Sequence, residues 1–185
     1  SEIEELEERL ERSTRDVEKK VRDTIRESER STEEVARRVD ESIKRLERVV
    51  EEVEERVRRI KDREEIKRLL DELRREAEEV HKTNKRLVEE NNRVSEEVHR
   101  DNERLVDEND RVLEKALDDV RKRITDEEIR KRVEDVAKKV KEDTDKLRDD
   151  SRKVHERNEE ESRRLEEKSE RVLRRVEEIL KEIER

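Results

Sequence analysis

Apolar side chains recur at every third or fourth position along the first third of the chain, from Ile3 to Ile60. The mean step is about 3.56 residues, which lies between the 3.5 of a left-handed coiled coil and the 3.67 of a right-handed one. A stripe with this period stays on one face of an α-helix. The pattern therefore predicts one long, nearly straight amphipathic helix.

Two Ser-Thr pairs lie within this first stripe, Ser13-Thr14 and Ser31-Thr32. Either pair could be the N-cap of a new helix, and Ser31 with Glu34 has the spacing of a capping box. However, the stripe keeps its phase across both pairs, and a loop would usually break it. We therefore expect the helix to continue through both pairs.

The stripe loses its phase at two points, between positions 60 and 66 and between positions 124 and 129. Each gap holds a helix start signal, because Asp62 is followed by Glu65 and Thr125 by Glu128 with the spacing of a capping box. These breaks divide the chain into three pieces of nearly equal length. The predicted helices span about 1–61, 63–124 and 126–185.

Helices joined by turns of two or three residues must run antiparallel to their neighbours. Flanking apolar residues such as Val88, Val106 and Leu113 widen the stripes, so that each helix can contact two others. We therefore expect an all-α fold, a long antiparallel up-down-up three-helix bundle with nearly straight, coiled-coil-like packing. It is predicted to form a single domain over residues 1–185.

Polar side chains occupy many positions of the predicted inner stripes, most densely from Asn91 to Asp110. A buried polar group without a partner costs about 1–3 kcal/mol. We therefore expect these side chains to form hydrogen bonds with one another across the core. The candidates for this network are Ser13, Thr14, Ser28, Ser31, Thr32, Ser42, His81, Asn84, Asn92, Ser95, His99, Asn102, Asn109, Thr144, Ser151, His155, Asn158, Ser162 and Ser169.

If the two turns lie near residues 62 and 125, the turns determine which residues of neighbouring helices lie opposite one another, to within about one helical turn. The candidates then fall into layers across the three helices. The predicted layers are Ser28 with His99 and Ser151; Ser31 with Ser95 and His155; Thr32 with Asn92 and Asn158; Ser42 with Asn84, His81 and Ser169; and Ser13 and Thr14 with Asn109, about a turn from Thr144.

The composition supports long helices and argues against several kinds of partner. Of the residues, 61% are charged and 26% hydrophobic, and there is no Gly, Pro, Cys or aromatic residue. Acidic and basic residues are interspersed, with a net charge of −9, so neither a basic patch nor stacking side chains are present for nucleic acid. No apolar run approaches the roughly 20 residues of a membrane span, and no signal peptide opens the chain. We expect no nucleic-acid partner and no membrane association.

The three histidines, His81, His99 and His155, are the first candidates for chemistry. Neither a cysteine nor a clearly inward carboxylate completes a metal-ligand set with them. A serine beside a histidine also needs an orienting acid, an oxyanion hole and a cleft before it can act as a nucleophile. We therefore expect no metal, no cofactor and no catalytic site, and interpret the histidines as hydrogen-bonded members of the network.

Near-equal helices, short turns without glycine, no aromatic residues and layered Ser, Thr, Asn and His positions resemble computationally designed helical bundles with buried hydrogen-bond networks. The resemblance covers the whole chain and depends on pattern, since there is no diagnostic motif. It implies a structural scaffold with no natural biochemical activity, and for a designed chain recombinant expression in the cytoplasm.

Two alternatives remain open. Some bundles of this kind use core histidines as acid-triggered switches, which would make the chain a pH-responsive bundle or a self-assembling module. Asparagine at a core position can also select the number of helices that associate. A monomer that requires no partner is favoured, and a homo-oligomer is the alternative.

Overall fold

The computed structural model describes residues 1–185. It contains three helices and no strands: α1 (Glu2–Arg59), α2 (Arg63–Arg123) and α3 (Glu127–Glu184). The predicted all-α, three-helix architecture is confirmed. The helix α1 continues through both Ser-Thr pairs, as its unbroken stripe predicts. None of the three helices is long and apolar enough to cross a membrane.

The two helix starts after the turns are capped by aspartates. The Asp62 carboxylate accepts the backbone N–H of Glu64 at 3.1 Å, and that of Asp126 accepts the N–H of Glu128 at 3.0 Å. The cap of α3 is therefore Asp126 and not Thr125, the residue expected from the sequence. A carboxylate satisfies free N–H groups and also interacts favourably with the positive end of the helix dipole.

The end of α2 is closed by a side chain from the next helix. Arg130 donates hydrogen bonds to the backbone oxygen of Ile124 at 2.5 Å and to that of Arg121. These carbonyl groups have no partner inside the helix. The guanidinium therefore satisfies them in a turn in which no residue has a positive φ.

The chain divides into two compact units, each built from segments of all three helices. Unit 1 comprises Ser1–Glu29 and Val94–Arg157, and unit 2 comprises Arg30–Arg93 and Asn158–Arg185. The single domain over residues 1–185 stays a prediction.

Each unit has its own apolar core. Unit 1 holds two clusters: Val21, Ile25, Val106, Leu147 and Val154, and Leu10, Leu113, Ala137 and Val140. Unit 2 also holds two clusters: Val35, Val39, Ile43, Val88 and Leu165, and the larger set Leu46, Val50, Val53, Leu70, Leu73, Ala77, Val176 and Leu180. Every cluster contains residues from all three helices, so the apolar stripes meet within the chain.

An 18-residue repeat relates the two units. Moving 18 positions forward in α1 and α3, and backward in α2, carries one cluster of unit 1 onto a cluster of unit 2. The equivalent pairs are Val21 and Val39, Ile25 and Ile43, Val106 and Val88, and Leu147 and Leu165. Because a straight helix has 3.6 residues per turn, 18 residues complete five turns and return a side chain to the same face. The repeat therefore requires no supercoil.

Candidate functional site: the buried hydrogen-bond layers

In unit 1, a layer that we call the first bridging layer connects all three helices through Asn102. The hydroxyl of Thr24 in α1 donates to Asn102 Oδ1 at 2.9 Å, and Asn102 Nδ2 donates to Ser151 Oγ in α3 at 3.3 Å. Ser151 Oγ lies 2.9 Å from His99 Nδ1, and His99 Nε2 lies 3.3 Å from a carboxylate oxygen of Glu103. Thr24, which is absent from the predicted network, completes this layer.

The partners of this layer define a consistent direction of donation. Ser151 Oγ accepts from Asn102, so its own proton is free to be donated to His99 Nδ1. A ring that accepts at Nδ1 carries its proton on Nε2, which faces the Glu103 carboxylate. Each polar atom between Thr24 and Glu103 has a partner, which is the condition for a buried polar group to be tolerated.

The second bridging layer, in unit 2, repeats this arrangement. Ser42 Oγ donates to Asn84 Oδ1 at 2.8 Å, Asn84 Nδ2 donates to Ser169 Oγ at 3.5 Å, and Ser169 Oγ lies 2.8 Å from His81 Nδ1. In both layers the histidine precedes the asparagine by three positions on α2, one turn away on the same face. The predicted grouping of these four residues coincides with the contacts.

A second kind of contact joins α1 and α2 only. In unit 1, Ser13 Oγ donates to Asn109 Oδ1 at 2.6 Å, and Asn109 Nδ2 donates to Thr14 Oγ1 at 3.1 Å. Thr14 in turn donates to the backbone oxygen of Leu10 at 2.8 Å. One asparagine thus uses both ends of its amide on two consecutive residues of α1, and we call this arrangement a Ser-Thr-Asn clamp.

The clamp of unit 2 has the same geometry but not the predicted partners. Ser31 Oγ donates to Asn91 Oδ1 at 2.6 Å, and Asn91 Nδ2 donates to Thr32 Oγ1 at 2.9 Å. The sequence places Ser31 opposite Ser95 and Thr32 opposite Asn92. These positions lie one to four residues from Asn91, within the tolerance of one turn. Asn91 itself is absent from the predicted network.

Two of the histidines meet in unit 1. The rings of His99 and His155 stack with their centroids 5.3 Å apart and an interplanar angle of 8°. Ser95 Oγ lies 3.0 Å from His155 Nδ1, in agreement with the predicted level of these two residues. Ser28 and Asn158 are buried, as are Ser95 and Ser151. The placement of Ser28 beside His99 stays a prediction.

A charged cluster around Asp110 is absent from the network predicted from the sequence. The Asp110 carboxylate accepts hydrogen bonds from Thr144 Oγ1 at 2.9 Å and Lys141 Nζ at 3.0 Å, and pairs with Arg148 at 2.8 Å. Thr144, expected about a turn from the Asn109 level, is fully buried against it. Burial acts to raise the pKa of the Asp110 carboxyl, but hydrogen bonds from Lys141, Arg148 and Thr144 together hold that pKa below its usual value.

We expect the contribution of Asp110 to be lost in acid. Because its pKa is lower in the folded state than in the unfolded one, its stabilisation is present above the unfolded value of about 3.9 and disappears as the pH falls through the folded value. Asp110→Asn, which keeps an acceptor for Thr144, should lower the free energy of unfolding at pH 7 by about 1 kcal/mol, since Lys141 is 50% exposed and solvent screens the pair. Urea titrations at pH 7 and pH 2.5 measure the difference. It should shrink at the lower pH, and an exposed control, Asp101→Asn, should show a smaller effect at pH 7.

The serine–histidine pairs do not form a site for nucleophilic chemistry. Ser151 is 4% exposed and lies in the middle of α3, where backbone N–H groups bond within the helix and leave no oxyanion hole. No group of three or more His, Cys, Asp or Glu side chains is placed to hold a metal ion. The layers connect the helices by hydrogen bonds.

Three residues of the observed network were not predicted from the sequence, and the 18-residue repeat indicates each of them. Asn91 is the equivalent of Asn109, and Thr24 is the equivalent of Ser42. Asp110 is the equivalent of Asn92, itself a predicted network member. Aligning the chain with itself at this offset would have identified all three.

No protein-family model matches the chain, and no curated protein matches its sequence. Among solved structures, it is similar to one described as a computationally designed three helix bundle, with 16% sequence identity, a TM-score of 0.44, and coverage of 98% of this chain and 94% of that chain. The fold and the layers depend on the contacts within this chain alone.

Proposed function

We propose that the chain is a structural scaffold without enzymatic activity, whose buried polar layers fix the register of its three helices. One observation carries the proposal. In each bridging layer a single asparagine bonds α1 through its oxygen and α3 through its nitrogen, so both partners must be level with it. A shift of one turn would separate the amide from both hydroxyls.

Apolar and polar parts of the core respond differently when one helix moves along another. Where the core is uniformly aliphatic, a shift by one turn changes its free energy little, because similar side chains replace each other. A bridging layer moved by a turn leaves the buried amide of the asparagine without its partners on the displaced helix, at about 1–3 kcal/mol for each unpaired group. The clamps and bridging layers of the two units therefore disfavour a displacement of one or a few helical turns.

Equivalent positions in the two units form ion pairs of opposite polarity between α1 and α3. Arg22 lies 3.5 Å from Asp150 in unit 1, and the equivalent pair in unit 2 is Asp40 with Lys168 at 2.7 Å, with the signs exchanged. If α3 were displaced against α1 by 18 residues in one direction, Arg22 would meet Lys168; in the other direction, Asp40 would meet Asp150. The polar layers alone would accept this offset, whereas the like charges oppose it.

The register can be measured directly because the chain has no cysteine. Spin labels on Arg48→Cys in α1 and Lys82→Cys in α2 report one distance within unit 2 by pulsed electron paramagnetic resonance. We expect a single narrow distribution. In a variant whose unit 2 layers are apolar, additional populations displaced by about one helical turn, 5.4 Å, should appear. The substitutions of this variant are Thr32→Val, Ser42→Ala, His81→Leu, Asn84→Leu, Asn91→Leu and Ser169→Ala.

Distance distributions of equal width in the two proteins would contradict the proposal.

Sedimentation equilibrium on the same samples tests the accompanying proposal that the chain is a monomer, with a mass of 22.8 kDa. The closure of all four apolar clusters within one chain supports that state. A multiple of this mass would favour the homo-oligomer.

The stacked His99 and His155 rings favour a second candidate function, a pH-responsive bundle. Protonating both rings would place two positive charges 5.3 Å apart and turn Nδ1 from an acceptor into a donor toward a serine. A switch would lose helicity between pH 7 and pH 5, whereas the Asp110 effect lies below pH 4. An acid titration of the chain and of the double variant His99→Asn/His155→Asn, followed by circular dichroism, separates the histidine effect from the Asp110 effect. Coincident curves would exclude the switch.

A further inference from the structure

A groove between α1 and α2 of unit 1 exposes apolar side chains to solvent. Its volume is about 520 Å³. Val112, which is 53% exposed, lines the groove together with Val17 and Leu105, two half-buried residues that pack against an apolar cluster of unit 1. Ser13 and Asn109 of the clamp also line it, but they bond one another. The groove therefore offers an exposed apolar surface with polar residues around it, a feature that marks binding grooves on soluble proteins.

Three cations line the same groove without a carboxylate partner: Arg9, Arg12 and Lys20. None of them takes part in an ion pair or a side-chain hydrogen bond. On the same helix, Arg15 and Arg22 pair with the glutamates four positions before them. Arg9 and Arg12 also follow glutamates at that spacing, yet their guanidinium groups do not pair with them. The charges on this side of the groove are therefore available to a ligand.

The balance of charge distinguishes this groove from others on the surface. Its lining holds the three cations and two carboxylates, those of Asp16 and Glu108, and so has an excess of positive charge. Four other grooves each hold more carboxylates than cations. The whole chain carries a net charge of −9. A groove with a positive excess in such a chain favours a ligand of negative charge.

The 18-residue repeat provides an internal reference for this groove. Val94 of unit 2 is the equivalent of Val112 and is 42% exposed. Arg38, the equivalent of Lys20, lies 3.7 Å from the Glu34 carboxylate and so is already paired. Unit 2 therefore repeats the exposed valine beside a cation that the chain itself neutralises.

We propose that the groove of unit 1 binds an anionic amphiphile with one alkyl chain, a medium-chain fatty acid. Arg9 and Arg12 are three positions apart on one face of α1, where their planar guanidinium groups can bond a carboxylate bidentately. The alkyl chain removes the exposed apolar surface of Val112 and Leu105 from water. The volume of about 520 Å³ is within the range of small-molecule sites. An alkylammonium ion of the same length meets the same apolar surface but is repelled by the cations.

The methyl signals of the two exposed valines provide the readout. We expect octanoate, titrated to about 10 mM at an ionic strength of about 0.15 M, to shift the Val112 methyl signals saturably, with a dissociation constant of about 1 mM for a ligand of this size. The side-chain NH₂ signals of Asn109 should shift with them, because Asn109 lines the groove. The Val94 methyl signals should shift much less. Octylammonium, which has the opposite charge, and acetate, which has no alkyl chain, should leave the Val112 signals in place.

Variants at exposed positions test the role of charge without altering the polar layers. Arg9→Gln/Arg12→Gln should weaken octanoate binding roughly fivefold to tenfold. The matched control, Arg45→Gln/Arg56→Gln, removes the same charge from exposed positions of α1 outside the groove and should change the affinity by less than about twofold. Glu108→Gln, which removes a carboxylate from the groove, should tighten binding about twofold.

Several results would overturn the proposal. The first is a linear, non-saturating shift of the Val112 signals, and the second is an equal shift of the Val94 signals, which would mean that octanoate adsorbs on any exposed valine. The third is an equal loss of affinity in both Arg→Gln variants, which would reduce the effect to net charge. The fourth is binding of octylammonium as tight as that of octanoate. Circular dichroism of each variant establishes that the helices are retained in every comparison.

Discussion

Replacing Asn102 by alanine should lower the free energy of unfolding by about 2–4 kcal/mol, because it removes the hydrogen bonds to both neighbouring helices and opens a void. Asn102 is 2% exposed and bonds Thr24 and Ser151 on two different helices. Thr24 retains the backbone oxygen of Val21 as an acceptor at 2.9 Å, and this places the effect below the sum of two lost bonds. Urea denaturation at pH 7, followed by circular dichroism, measures the change.

The matched control is Asn92→Ala, the same change on the same helix. Asn92 Oδ1 has no partner in the chain, so its removal loses no hydrogen bond and relieves an unsatisfied atom. We expect a change within about 0.5 kcal/mol of zero, or a slight stabilisation. Equal destabilisation by the two substitutions would mean that Asn102 matters through its volume and not through its bonds.

Replacing Leu73 by alanine should have an effect at least as large, about 2–5 kcal/mol. Leu73 is 2% exposed and lies in the largest apolar cluster of unit 2, where residues of all three helices surround it. Truncation removes apolar contacts and leaves a cavity that long, closely packed helices cannot easily close. The same urea titration measures it, and the transition should remain cooperative because no polar group is left unpaired.

Val112→Ala tests whether this effect depends on burial. Val112 is 53% exposed, the larger of two exposed values among the bulky apolar residues. Its truncation should change the free energy of unfolding by no more than about 0.5 kcal/mol. A cost comparable with that of Leu73→Ala would show that the face bearing Val112 is covered in solution, as a homo-oligomer would require.

The three helices and their turns could be predicted from the sequence because two local signals coincide. The apolar stripe keeps one phase within each helix, and it breaks at the places where Asp62 and residues 125–128 supply start signals. Such signals depend only on helix geometry and on the free N–H groups at a helix start. The choice of Asp126 over Thr125 as a cap is a difference of one residue, which the pattern alone cannot resolve.

The levels of the polar residues could be predicted only to about one turn. His99 with Ser151, and Ser42 with Asn84, fall together because short turns fix which parts of neighbouring helices are opposite. The partner of Ser31 differs, since Ser95 and Asn91 are one turn apart on the same face of α2. Selecting between them requires side-chain geometry, and the sequence does not contain it directly.

Asp110 illustrates a different limit. In a chain with 61% charged residues, an aspartate next to a seam asparagine is indistinguishable from the many that face solvent. Its burial depends on Lys141 and Arg148, more than 30 positions away on another helix, which together compensate its desolvation. The 18-residue repeat is the one sequence feature that places Asp110 in a network position, because its equivalent is Asn92.

The most direct test of register fixed by polar layers is a nuclear Overhauser measurement on the asparagine side-chain amides. We expect the Asn102 NH₂ protons to contact the β-protons of Ser151 and the Asn84 protons to contact those of Ser169, with slow exchange against solvent at both sites. Contacts to residues one turn away, or freely exchanging amides with no contact to α3, would contradict the account.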